Sequence, residues 1–93
     1  MAGNVSVDEK AIAGGMRVCQ MSVEKLEGAI SQLKRDYEKA GSSGWRDSKY
    51  EQLGELVNSC INALKKPISE LNECNEKLNI LLEEVKNYEG INI

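Results

Sequence analysis

The side chains best suited to covalent or metal chemistry in this sequence are three cysteines, Cys19, Cys60 and Cys74. A disulfide framework needs an even count, and a structural zinc site needs paired Cys or His ligands a few residues apart. Here the count is odd, there is no Cys-x-x-Cys and there is no histidine. Without histidine the commonest general base is missing, and no serine or cysteine stands at a recognisable spacing from another base. Carboxylates pair at Asp8-Glu9 and Glu83-Glu84. They fall on polar helix faces, and no part of the pattern encloses them in the apolar pocket that acid–base catalysis by a carboxyl requires. Neither a phosphate-binding glycine motif nor a P-loop occurs. The expectation is therefore a protein that is not an enzyme, with no catalytic residue, no metal site and no cofactor. The cysteines read as three small buried hydrophobes.

Composition sets the scale on which any site must be built. Ninety-three residues, 29% charged and 41% hydrophobic with one proline, describe one small helical domain. The net charge of −3 is spread over both signs. Lys34-Arg35 and Lys65-Lys66 are only pairs, far short of the basic face that nucleic-acid binding needs. No apolar run reaches the roughly 18 residues of a membrane span. Met1 to Lys10 lacks the basic and apolar regions of a secretory signal peptide, so any export is expected to be leaderless.

The elements follow from periodicity. Ile12, Met16, Cys19, Val23, Leu26, Ile30, Leu33, Tyr37 and Ala40 recur at alternate steps of four and three. That is a heptad seam, which a strand cannot present. Ser6 with Glu9 forms a capping box and Gly41 stands as the stop, giving a first helix over about residues 8–40. A second seam joins Tyr50, Leu53, Val57, Cys60, Leu64, Pro67, Leu71, Cys74, Leu78, Leu81, Val85 and Tyr88. Asp47 and Ser48 are alternative N-caps, Ser48 with Glu51 makes a second capping box, and Gly90 is the expected stop. The second helix is placed over about residues 48–89, kinked near Pro67, where the bond to the Ala63 carbonyl is lost. Gly28 and Gly54 lie inside helices, as tolerated costs or as points of close helix approach. The fold class is all-α: an antiparallel two-helix hairpin filling residues 1–93, with a turn over 41–47.

The second helix carries more apolar residues than one seam uses. Leu56, Ile61, Ile68 and Leu82 are the surplus, and they are the expected interface with a second hairpin in a four-helix bundle.

The turn contains Trp45, the sole tryptophan, within Ser42-Ser43-Gly44-Trp45-Arg46-Asp47. Its length, two long helices, midpoint tryptophan turn and late Tyr88 make the whole chain resemble the WXG100 family, the ESAT-6-like proteins of type VII secretion. The resemblance implies a hairpin that dimerises and is secreted without a cleaved signal peptide. It also implies an export signal read by the secretion ATPase, built from the tip tryptophan and a partner's Tyr-x-x-x-Asp/Glu tail. In this sequence those positions are Trp45, Asp47, Tyr88 and Asn92. Asp47 replaces the family's glycine and can cap the second helix, and Asn92 replaces the acidic tail residue. The expected partner is a second copy, in a homodimer, or another helical hairpin, such as an LXG-type toxin domain, in a heterodimer; the incomplete tail leaves the missing half of the signal to a heteromeric partner. Two other readings stand beside it. One is a cytosolic coiled-coil adaptor or assembly protein with no export role, which suits three cysteines in a reducing compartment. The other is a needle-like subunit, which needs open-ended contacts.

Overall fold

The computed structural model describes residues 2–44 and 46–91, and the side-chain surroundings of 8–44 and 46–88. It is an antiparallel hairpin of two helices, α1 over Ala2–Ser42 and α2 over Ser48–Ile91. The rod measures 69 × 18 × 13 Å. A straight helix of α2's 44 residues would be about 66 Å long, so α2 crosses Pro67 unbroken and without a large bend.

The helix ends differ from expectation in three places. The helix runs straight through the Ser6–Glu9 capping box, because no proline stands there and each residue costs at most a few tenths of a kcal/mol or, for glycine, about 1. Gly41 is helical and buried. The residue with positive φ is Gly44, at 96°. The Lys39 carbonyl closes this end, accepting from the Ser43 amide at 3.2 Å and from the Ser42 and Ser43 hydroxyls at 2.9 and 3.0 Å. At the far end α2 continues through Gly90 to Ile91, the last described residue.

Every expected seam residue of α1 from Ile12 to Ala40 is buried or half-buried. The seam of α2 is rotated from the expected one beyond Val57. Ile61, Asn75 and Leu82 face α1 in place of Cys60, Cys74 and Leu81, Ile68 is half-buried beside a half-buried Pro67, and Tyr88 is exposed. The two sets differ by one residue, about 100° on the helix. Seating Ile61 against α1 in place of Cys60 removes more apolar surface from water. Asn75 follows because the heptad carries it, and its Oδ1 is buried without a hydrogen-bond partner.

The consequences correct two expectations. Cys19 is buried, but Cys60 and Cys74 are exposed. Ile61, Ile68 and Leu82 are used inside the hairpin, and Ile61 is only 8% exposed. Of the surplus residues only Leu56 remains outward, at 64%.

Glycines report where the helices touch. A Cβ at Gly28 would meet nothing within 4 Å, whereas one at Gly54 would stand 2.6 Å from Tyr37 Oη and 3.0 Å from its Cζ. Gly28→Ala is therefore expected to stabilise by about 0.5–1 kcal/mol through helix propensity. Gly54→Ala is expected to lose about 1–3 kcal/mol to overpacking, partly offset by the same propensity gain. Urea titrations followed by circular dichroism would compare the two.

Candidate functional site

The region that both the sequence and the fold single out is the hairpin tip. Asp47 is the N-cap of α2. Its Oδ1 accepts from the Lys49 amide at 3.0 Å and the Tyr50 amide at 3.1 Å, and its carbonyl accepts from the Glu51 amide at 3.2 Å. A carboxylate at this position satisfies orphan amides and suits the positive end of the helix dipole, contributing about 1 kcal/mol. Asp47, not Ser48, takes the cap.

Below the turn two tyrosines clasp the helices. Tyr37 and Tyr50 stack with ring centroids 4.5 Å apart and planes within 2°. The Tyr50 hydroxyl donates to the Tyr37 carbonyl at 3.2 Å. The Arg46 guanidinium lies 5.9 Å from the Tyr50 ring centroid. Each ring lies against a glycine on the opposite helix: Tyr37 on Gly54, and Tyr50 on Gly41, where a Cβ would come within 2.8 Å of Tyr50 Cζ. The arrangement is reciprocal because the sequence is repeated. Tyr37-Glu-Lys-Ala-Gly41 and Tyr50-Glu-Gln-Leu-Gly54 share the pattern Tyr-Glu-x-x-Gly. That five-residue repeat was the available signal for a clasp that heptad reading treats as two ordinary seam positions. Burial, followed by the neighbouring Tyr37, raises the Tyr50 phenol above its ordinary 10.0.

Trp45 and Asn92 lie outside the described residues. In sequence Trp45 stands between Gly44 and Arg46, which border the tip. Tyr88 is exposed on α2 near the open end of the same hairpin. Within one chain, then, the tip that includes Asp47 and the tail that includes Tyr88 lie at opposite ends of the rod.

The two faces of the hairpin differ. One holds open grooves of about 750 and 380 Å³, rimmed by Glu27, Glu73, Glu76, Glu38, Glu51 and Glu55 with Lys34 and Lys65 among them. The opposite flank of α2 carries Leu56, Cys60, Cys74, Leu81 and Tyr88, all exposed, with Pro67 half-buried among them. Among the described residues no cluster of three or more His, Cys, Asp or Glu side chains is placed to hold a metal ion, and no helix is long and apolar enough to cross a membrane. Comparison with protein-family models, curated proteins and solved structures finds no match to the chain.

Proposed function

We propose that this chain is an interaction protein whose hairpin pairs with a second helical hairpin, and that the pair is a leaderless substrate or targeting partner of a WXG100-like, type VII secretion system. The observation that carries the pairing is the exposed apolar flank of α2. It is supported by the thinness of the hairpin. Its accessible surface is 6967 Å², whereas a compact monomer of 10.3 kDa exposes about 5,300 Å². Among the described residues no large side chain is fully buried. Covering Leu56, Leu81, Tyr88 and the two cysteines would contribute on the order of 5 kcal/mol per protomer before association costs.

The secretion reading rests on the tryptophan turn and the late Tyr88. A tip and a tail at opposite ends of one rod meet only when two hairpins lie antiparallel. A composite signal of the resembled kind thus requires a partner, and Asn92 at the acidic tail position favours one that supplies its own tail.

The test is secretion in the organism that encodes the chain. Deleting the secretion ATPase is expected to clear the protein from the culture medium while it persists in the cells. Trp45→Ala is expected to do the same with helix content unchanged. Undiminished protein in the medium of the deletion strain overturns the secretion reading and favours the adaptor.

A further inference from the structure

We infer that Cys19 and Cys74 of one chain form a disulfide under oxidising conditions, a reversible staple between α1 and α2 in the open half of the hairpin. It is a property of the single chain, independent of pairing and of secretion. The register comes from a glycine contact. A Cβ at Gly15 would lie 3.4 Å from Leu78 Cδ1, so these two residues stand at one level of the rod and on one side of it. The helices are antiparallel, so one turn toward the tip leads from Gly15 to Cys19 on α1 and from Leu78 to Cys74 on α2. Residues four apart on a helix share a face. The two cysteines therefore occupy the next rung on the same side, about 6 Å from the Gly15–Leu78 contact.

Cys19 is buried in the α1 seam, and Cys74 is exposed at the seam's edge. Cys74 follows Leu71 by three residues and precedes Leu78 by four, and both leucines are half-buried against α1. The residue now seated between those leucines is Asn75, whose Oδ1 is buried without a hydrogen-bond partner. Exchanging Asn75 for Cys74 keeps both leucines in the seam. It turns this stretch of α2 by about 50°, half the angle between neighbouring helical residues. The turn returns the stranded Asn75 oxygen to water, so the rung with the poorest seam residue is the one that re-seats most cheaply. Helices packed about 8–10 Å apart place facing Cα atoms about 4–6 Å from one another, within reach of the roughly 4.4–6.8 Å that a disulfide spans. Cys60 has no such counterpart. It lies fourteen residues from Cys74, about 21 Å along the axis, and α1 carries no second cysteine.

Exposure sets the order of the chemistry. The Cys74 thiolate attacks a low-molecular-weight disulfide, forming a mixed disulfide and releasing one small thiol. The Cys19 thiolate then attacks the Cys74 sulfur and releases the second small thiol. In all, the chain loses two protons and two electrons, and the small disulfide is reduced to two thiols. A reducing compartment reverses both steps, so the staple exists only in oxidising surroundings. It fastens the half of the rod that the tyrosine clasp leaves unsecured.

Oxidised glutathione supplies the test. The purified full-length chain, kept dilute, is equilibrated with it, alkylated and weighed intact. The expected product is a monomer with one alkylated cysteine, no bound glutathione and a peptide that links Cys19 to Cys74. Cys60→Ser is expected to give the same link. Cys74→Ser, at an exposed position that leaves the fold intact, is expected to form no internal disulfide. Cys19→Ala is expected to retain glutathione on Cys74, because the resolving thiol is gone. Asn75→Leu holds the present seam with an apolar side chain and is expected to slow closure about tenfold or more. The stapled chain is expected to melt about 10 °C or more above the reduced one, since the link closes a long loop. A link through Cys60, glutathione retained by the wild type, a covalent dimer, or closure as fast in Asn75→Leu as in the wild type overturns the staple.

Discussion

Tyr50→Ala is expected to lower the free energy of unfolding by about 3–4 kcal/mol, a large fraction of what a two-helix domain possesses. Tyr50 is 8% exposed, stacks on Tyr37 at 4.5 Å and fills the space left open by Gly41. Truncation removes the buried ring, the stacking and the hydroxyl bond together. Tyr50→Phe separates these contributions. It keeps the ring and removes the hydroxyl with its hydrogen bond to the Tyr37 carbonyl, an expected cost of about 0.5–1.5 kcal/mol. Thermal and urea unfolding followed at 222 nm would measure both. The pH dependence has a definite sign. With its phenol raised above 10.0 by burial, Tyr50 contributes stability that is present below that value and lost as pH climbs through the folded-state pKa. Equal losses for the Phe and Ala variants would show that the ring contributes nothing.

The second large effect contrasts two residues on α2. Ile61→Asp is expected to cost about 4 kcal/mol or more, because it places an unpaired carboxylate in the seam against α1. The loss is expected at every protein concentration. Leu81→Asp is expected to cost under about 1 kcal/mol in the isolated hairpin, since Leu81 is 44% exposed there. Under the proposed pairing its effect falls on association, so its melting temperature is expected to drop most at high concentration. Light scattering over a dilution series distinguishes the two. A monomeric Ile61→Asp variant with wild-type melting would mean that the seam assignment on α2 is wrong.

That contrast also marks how far the sequence could be read. Helix number, antiparallel order and the whole α1 seam were legible, because the one sustained heptad on α1 is the stripe that faces α2, while Val18 and Met21 off that stripe are exposed. On α2 two stripes lie side by side, one through Cys60, Cys74 and Leu81 and one through Ile61, Ile68 and Leu82. Both keep a period of seven. Periodicity is blind to which of them faces α1, and the difference in side-chain volume decides it. The cap was legible as a choice between Asp47 and Ser48, which only the amide positions resolve. The clasp was written plainly as a repeated Tyr-Glu-x-x-Gly, but tyrosine at a seam position and glycine in a helix each have an ordinary reading. Their meaning depends on facing each other across the hairpin.

The clasp also sets an order of events. Tyr37–Gly54 and Gly41–Tyr50 are contacts between residues close in the chain, seventeen and nine apart, and closing so short a loop is fast. The most buried side chains, Cys19, Val23, Tyr50, Val57 and Ile61, all lie from mid-rod to the tip, while the unsatisfied Asn75 lies toward the open end. The hairpin is therefore expected to zip from its tip, with the contacts nearest Tyr88 protected last in pulsed hydrogen exchange during refolding.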